Sequence, residues 1–139
     1  MTFYNSYKAV FDNLRTVISG VSSIKYVLVG EPFKIKSLPT ALLMPARDDI
    51  SYASAEGRLE NRLTIDVMIL VKETEPEDWF QSVVSPMGDV VDAVLADPTL
   101  SGAVLDIYPV YFAPGEFRFP NKLYYGGLVR FAAVFHYAF

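Results

Sequence analysis

The sequence predicts an α+β fold: a sheet of about five strands, mostly antiparallel or mixed, with two helices packed on one face. Three observations carry this expectation. Leu63, Ile65, Val67, Ile69 and Val71 alternate with Arg62, Thr64, Asp66 and Lys72, the period of two that marks a half-buried strand. Trp79, Val83, Met87, Val90, Val91 and Val94 recur at the spacing of one helical stripe. Beyond Asp97-Pro98, residues 103–113 and 123–139 are rich in β-branched and aromatic side chains and read as two further strands.

Taken in chain order, Phe3, Tyr4, Tyr7, Val10, Phe11, Leu14, Val17 and Ile18 form an apolar stripe, so a first helix is expected over residues 4–19. Gly20 is its natural stop. Residues 24–29 form a short β-branched strand closed by Gly30, and residues 40–44 form another, ended by Pro45. A polar connection follows over residues 47–61, either a loop or an extension of the flanking strands into a long hairpin. Pro86 interrupts the second helical stripe, predicting a kink or two consecutive pieces, 77–84 and 86–96, with Ser85 as cap of the second. Both pieces keep the stripe in phase and should cover the same sheet face. Pro109 predicts an edge strand or a bulge, and Gly126-Gly127 a bulge or bend near the start of the last strand. Pro114-Gly115 and Pro120-Asn121 should punctuate the link between the last two strands. That last strand needs a paired neighbour, because its backbone groups cannot be left dry and unsatisfied.

At 139 residues the chain is expected to be a single domain, 1–139, large enough to bury roughly 68% of its unfolded surface. There are no cysteines, which excludes disulfides, thiolate metal sites and thiol nucleophiles together. The first eight residues lack a charged start and apolar core, so no leader peptide is expected, and no apolar run reaches the length of a membrane helix. An aromatic last strand ending in Phe139 resembles that of an outer-membrane barrel, but such barrels need about eight strands or more. Half the residues are hydrophobic (52%) against 20% charged, which points to apolar surface hidden by a permanent partner. Charge is unevenly placed. Residues 1–47 hold six basic and two acidic groups, net +4, and residues 48–139 hold six basic and fourteen acidic, net −8. A domain polarised in this way suits head-to-tail contacts between copies.

Reaction chemistry is scarce. The single histidine, His136, shares strand parity with Arg130 and reads as a structural or interface residue. An enzymatic reading requires it to lie in a cleft beside a carboxylate such as Asp106 or Glu116. Neither Gly-x-Ser-x-Gly nor a phosphate-cradling glycine loop occurs, so no catalytic or cofactor-binding residues are assigned. Asp48, Asp49, Glu56 and Glu60 do not follow a calcium-loop spacing, and no metal ligands are assigned. Glu73, Glu75, Glu77 and Asp78 suit the start of a helix. Lys34 and Lys36 beside Phe33 are the only basic-aromatic cluster in an acidic chain, so sequence-specific nucleic-acid binding is not expected. An acidic wall would instead repel a passing duplex. The aromatic loop holding Phe112, Phe117, Phe119, Tyr124 and Tyr125 is the best candidate for a partner contact, the alternative being that it folds back over its own core.

The layout resembles the tail-terminator, or tail-completion, proteins of long-tailed bacteriophages and prophages. The resemblance rests on the first helix, on Asn61-Arg62-Leu63-Thr64-Ile65-Asp66-Val67, on Asp97-Pro98-Thr99-Leu100-Ser101-Gly102-Ala103-Val104 and on Gly127-Leu128-Val129-Arg130-Phe131. It spans nearly the whole chain, with Ser101 standing where a second glycine is common. It implies a structural virion protein, without enzymatic activity or cofactor, that forms a homo-oligomeric ring, commonly a hexamer. Such a ring caps the tail tube and joins it to the head connector protein, leaving a pore for DNA. The implied location is the tail or neck of the virion, assembled in the bacterial cytoplasm, with no membrane partner. Asp48, Asp49, Glu56 and Arg58 would then face the lumen or the tube. Other neck and head-closure proteins share this size. A small ligand-binding or enzymatic α+β domain using His136, and a dimeric cellular adaptor, are the rival classes.

Overall fold

The computed structural model describes residues 2–30, 37–54, 57–72, 75–119 and 122–139. Helix α1 spans Phe3–Ser19 and is capped by Thr2, whose hydroxyl accepts the Asn5 backbone N–H at 3.1 Å. Its stripe of Val10, Phe11, Leu14 and Ile18 is buried. Strand β1 is Tyr26–Val29, β2 is Thr40–Ser54, β3 is Arg58–Val71, β4 is Asp106–Phe119 and β5 is Lys122–Ala138. They form one sheet in the order β1-β2-β3-β5-β4, parallel only between β1 and β2. Helix α2, Ser85–Leu95, completes an α+β fold with a mixed sheet.

Both helices lie on the same side of the sheet. The odd-numbered residues Leu63, Ile65, Val67 and Ile69 of β3 and Val129, Phe131 and Ala133 of β5 are fully buried against them. Helix α1 touches β1, β2 and α2, whereas α2 touches β4 and β5. The even-numbered residues form the other face. There Asp66 receives two hydrogen bonds from Arg130, at 2.7 and 3.2 Å, and the guanidinium carbon lies 5.8 Å from the Tyr111 ring centre. Around this pair sit half-buried Met44, Met68, Leu128, Ala132 and Val134, with Leu42 and Leu70 fully buried beside them.

Four local expectations change. Pro45 does not end its strand: β2 runs on to Ser54 with a register shift between Pro45 and Arg47. The last β1–β2 pair is Val29 with Leu43, so from Pro45 onward β2 is a sheet edge, where a missing N–H costs no ladder bond. Residues 47–54 and 58–61 are therefore paired strands rather than a loop, with Arg47 to Ser54 registered on Thr64 to Arg58.

The second helical run is not two clean pieces. A 3₁₀ turn, Pro76–Asp78, leads into a π-helical turn, Phe80–Val84, and then α2. Ser85 is helical rather than a cap, with φ −61° and ψ −48°, and its N–H reaches the Phe80 carbonyl. The wider π turn absorbs the hydrogen bond that Pro86 cannot make, so the stripe passes through unbroken.

Gly126-Gly127 is not a bulge, since the β3–β5 register runs evenly through Ile69–Gly127 and Leu70–Gly126. The glycines are needed for space. A Cβ on Gly126 would collide with the Ile69 carbonyl, and one on Gly127 with the Met87 thioether. Pro109 does mark an edge strand, with the register shift falling between Pro109 and Tyr111. Pro114-Gly115, expected as a break, sits inside β4 opposite Gly127 and Gly126, while Pro120 and Asn121 lie outside the described residues.

The turn after α2 uses two non-glycine residues at positive φ, Leu100 at 48° and Ser101 at 56°. Asp97 offsets the strain, accepting the Ser101 N–H at 3.1 Å and its hydroxyl at 3.2 Å. Asn13 of α1 donates to the Leu100 carbonyl at 2.7 Å, tying this turn to the first helix.

Candidate interaction surface

The large exposed apolar side chains fall into two groups at opposite sides of the sheet. On the β1–β2 side are Tyr4 of α1, Val29, Ile50 and Tyr52, with Phe139 against Tyr52 at 6.3 Å between ring centres. On the β4 side are Phe80, Leu95, Leu105, Val110, Tyr111 and Phe112. This pattern follows from strand order. Interior strands have neighbours to shade both sides, whereas β2 beyond Leu43 and all of β4 have one open edge. Apolar residues at an open edge stay wet unless another molecule covers them.

Charge separates the same way. Residues 75–116, which build α2 and most of β4, contain eight carboxylates and no lysine or arginine. The α1 side carries Lys8 and Arg15 with Asp12, and β2 carries Arg47 with Asp48 and Asp49. Lys25 instead lines a separate hollow with Gln81, Ser82 and Pro86. Lys8 is held by Asp12 at 2.7 Å and Arg47 by Asp49 at 3.0 Å, while Arg15 makes no ion pair among the described residues. Residues 75–116 thus carry carboxylates alone, while Arg15 on the α1 side is a cation without an ion pair among the described residues. Each side also bears a hollow. One, of about 420 Å³, is lined by Tyr4, Lys8, Arg15, Val29 and Pro45 among others. The second, of about 360 Å³, is lined by Pro76, Trp79, Phe80, Glu116 and Tyr125.

The residues expected at a lumen or tube surface divide. Asp49 is exposed in β2 on the helix-free face, opposite Arg62, and Arg58 is exposed at the first position of β3. Glu56 lies outside the described residues. Asp48 turns the other way. It is registered on buried Leu63, and neither carboxylate oxygen has a hydrogen-bond partner or contact with solvent. Asn61, fully buried and two register pairs along on the same face, donates to the Phe135 carbonyl at 3.5 Å and leaves its own oxygen unpaired. Burial pushes the Asp48 carboxyl above its ordinary value of 3.8, with the charge of Asp49 adding to the shift. The same carboxylate, after burial, raises the Tyr7 hydroxyl of α1.

The folded protein therefore binds the Asp48 proton more tightly than the unfolded chain does. Stability is greatest below pH 3.8 for this group and declines as pH rises through the folded value, leaving a fixed cost at neutral pH. Asp48→Asn should remove that cost. A gain of about 1 kcal/mol in urea unfolding at pH 7, vanishing toward pH 3.5, is the expected result. Equal stability of the two proteins at pH 7 would show that the carboxylate carries no such cost.

The aromatic candidates lie on the β4–β5 hairpin rather than in a loop. Phe112 is 43% exposed on the β4 edge. Tyr125 is half-buried against the core and lines the aromatic hollow, and Tyr124 is half-buried. The side chains of Phe117 and Phe119 lie outside those described, as do Lys34, Lys36 and Phe33. Sequence reasoning missed Val110, Tyr111 and Phe80 as surface residues, because an alternating or helical stripe cannot say which edge stays open.

His136 sits on the helix-free face with Nε2 3.3 Å from Glu60 Oε1, its directly registered partner on β3. It lines none of the described hollows, and Glu116 is at the far end of the hairpin opposite Tyr125. Among the described residues no three His, Asp or Glu side chains gather to hold a metal, and no helix is long and apolar enough to cross a membrane. In comparison with known proteins, no family model matches the chain and no curated protein matches it.

Proposed function

We propose that this chain is a structural virion protein, a ring-forming tail terminator that caps the tail tube and joins it to the head connector. The observation that carries the ring is the pair of unlike flanks. Each is apolar, one carries the carboxylates of residues 75–116 and the other the cation Arg15, unpaired among the described residues, and they lie at opposite sides of one sheet. A two-fold dimer pairs a patch with itself and would leave the second flank exposed. Head-to-tail packing covers both in every copy, and a rotation that closes on itself yields a ring. The particle itself is suggested by the resemblance described above.

In such a ring the β2–β3 hairpin, with exposed Asp49 and Arg58, faces the lumen or the tail tube, while Asp48 is turned inward. The excess of acidic groups would keep a passing DNA duplex from adhering to the pore wall. Two measurements test the reading. Mass by light scattering should give about six subunits, where a dimeric adaptor would give two. Electron microscopy of particles assembled without this protein should show overlong tail tubes. Tubes of normal length would overturn termination as its role.

A further inference from the structure

We infer that the aromatic hollow beside β4 receives the guanidinium of Arg15 from the next copy in the ring. The inference rests on the ring reading and names the contact that would align successive copies. The hollow has the composition of a cation site. Trp79, Phe80 and Tyr125 line it with aromatic rings and Glu116 with a carboxylate, within about 360 Å³. Trp79 and Phe80 meet edge to face at 5.5 Å. The π turn that begins at Phe80 widens the helix here and leaves Phe80 75% exposed. Aromatic faces attract a cation through their quadrupole, and a flat guanidinium can stack on one ring while donating to a carboxylate.

The occupant follows from charge and position. No lysine or arginine lies between residues 75 and 116, and the side chain of Arg118, which follows Glu116 on β4, lies outside those described. Across the molecule, Arg15 is exposed, lines the opposite hollow beside Val29 and Pro45, and makes no ion pair among the described residues. Lys8, its neighbour in that hollow, is already committed to Asp12. Head-to-tail packing brings the Arg15 flank of one copy onto the Glu116 flank of the next. Both solvent-facing groups would then be neutralised in one contact.

Charge exchange tests this directly. Arg15→Glu and Glu116→Arg, made singly, should each weaken association by about tenfold, and the double variant should recover most of the loss. Both side chains are exposed, so thermal melts of all three should match the parent. Trp79 is the only tryptophan, which gives a second readout. Its emission should change on assembly of the parent and not change in Arg15→Gln subunits alone at the same concentration. If the parent assembles and the single variants assemble equally well, the Arg15 contact is wrong while the ring stands. If the parent keeps a single-subunit mass into the millimolar range, the ring reading falls and this inference falls with it.

Discussion

Gly126→Val should abolish cooperative thermal unfolding, leaving a chain without the near-ultraviolet signature of packed aromatic residues. The reason is geometric. Gly126 pairs with Leu70 on β3, and a Cβ there would overlap the carbonyl oxygen and carbonyl carbon of Ile69. Those are backbone atoms in the middle of the sheet and cannot swing aside. Its φ of 153° also lies where side chains are rarely accommodated. Separating β3 from β5 would uncover Ile69, Leu70 and Val129, all fully buried. A loss beyond about 5 kcal/mol is expected, comparable to the whole stability of a typical domain. Gly88→Ala supplies the contrast. It sits in α2 with open space around the added carbon, so it should stabilise by about 0.5–1 kcal/mol. A Gly126→Val protein that melts like the parent would mean that β3 and β5 do not approach as described.

Val110→Asp combined with Phe112→Asp should convert the assembly to single subunits without unfolding them. Both residues are half exposed on the outer strand, at 51% and 43%, so a carboxylate costs little in the free subunit. At a covered flank each would be a buried, unpaired charge on a surface already acidic, and association should weaken by at least about a hundredfold. Ile50→Asp with Tyr52→Asp should do the same from the other flank. The mixture of the two variants is the sharper test. Each retains one intact flank, so unlike flanks predict one-to-one heterodimers and nothing larger. A mixture that stays monomeric would rule out head-to-tail packing, and full assembly of either variant alone would place the interface elsewhere.

These two tests depend on different layers of information. The strand over residues 62–72 was plain in the sequence because Leu63, Ile65, Val67, Ile69 and Val71 recur at a period of two. The first helix was equally plain, with its stripe and its Gly20 stop. The residues at Pro45 and Pro86 were harder. A proline reads as a break, yet Pro45 lies where β2 has just lost its neighbour, and Pro86 follows a π turn that frees the bond it lacks. In each case the cost of proline depends on a partner contributed from elsewhere in the fold. Gly126-Gly127 was noticed for its flexibility, although what it provides is room for the Ile69 carbonyl and the Met87 side chain.

Among the candidate contact residues, Phe112 and Tyr125 were legible as aromatic side chains in a hydrophobic chain, but their roles were not. Phe112 is an open edge and Tyr125 the wall of a hollow, a difference set by which strand has a neighbour. Asp48 and Asp49 look alike in sequence and face opposite sides of the sheet, because the side chain alternates with each residue of the hairpin.

By itself, the sequence determined the α+β class, the helical and strand periods, the absence of thiol chemistry and the opposed charge of the two halves. These are local properties, fixed by side-chain spacing and composition. Only the tertiary structure decided the strand order, and with it which edges remain open and which charges lie across the molecule from one another. That order depends on contacts between residues far apart in the chain, such as β3 with β5, and no short window of sequence contains both partners.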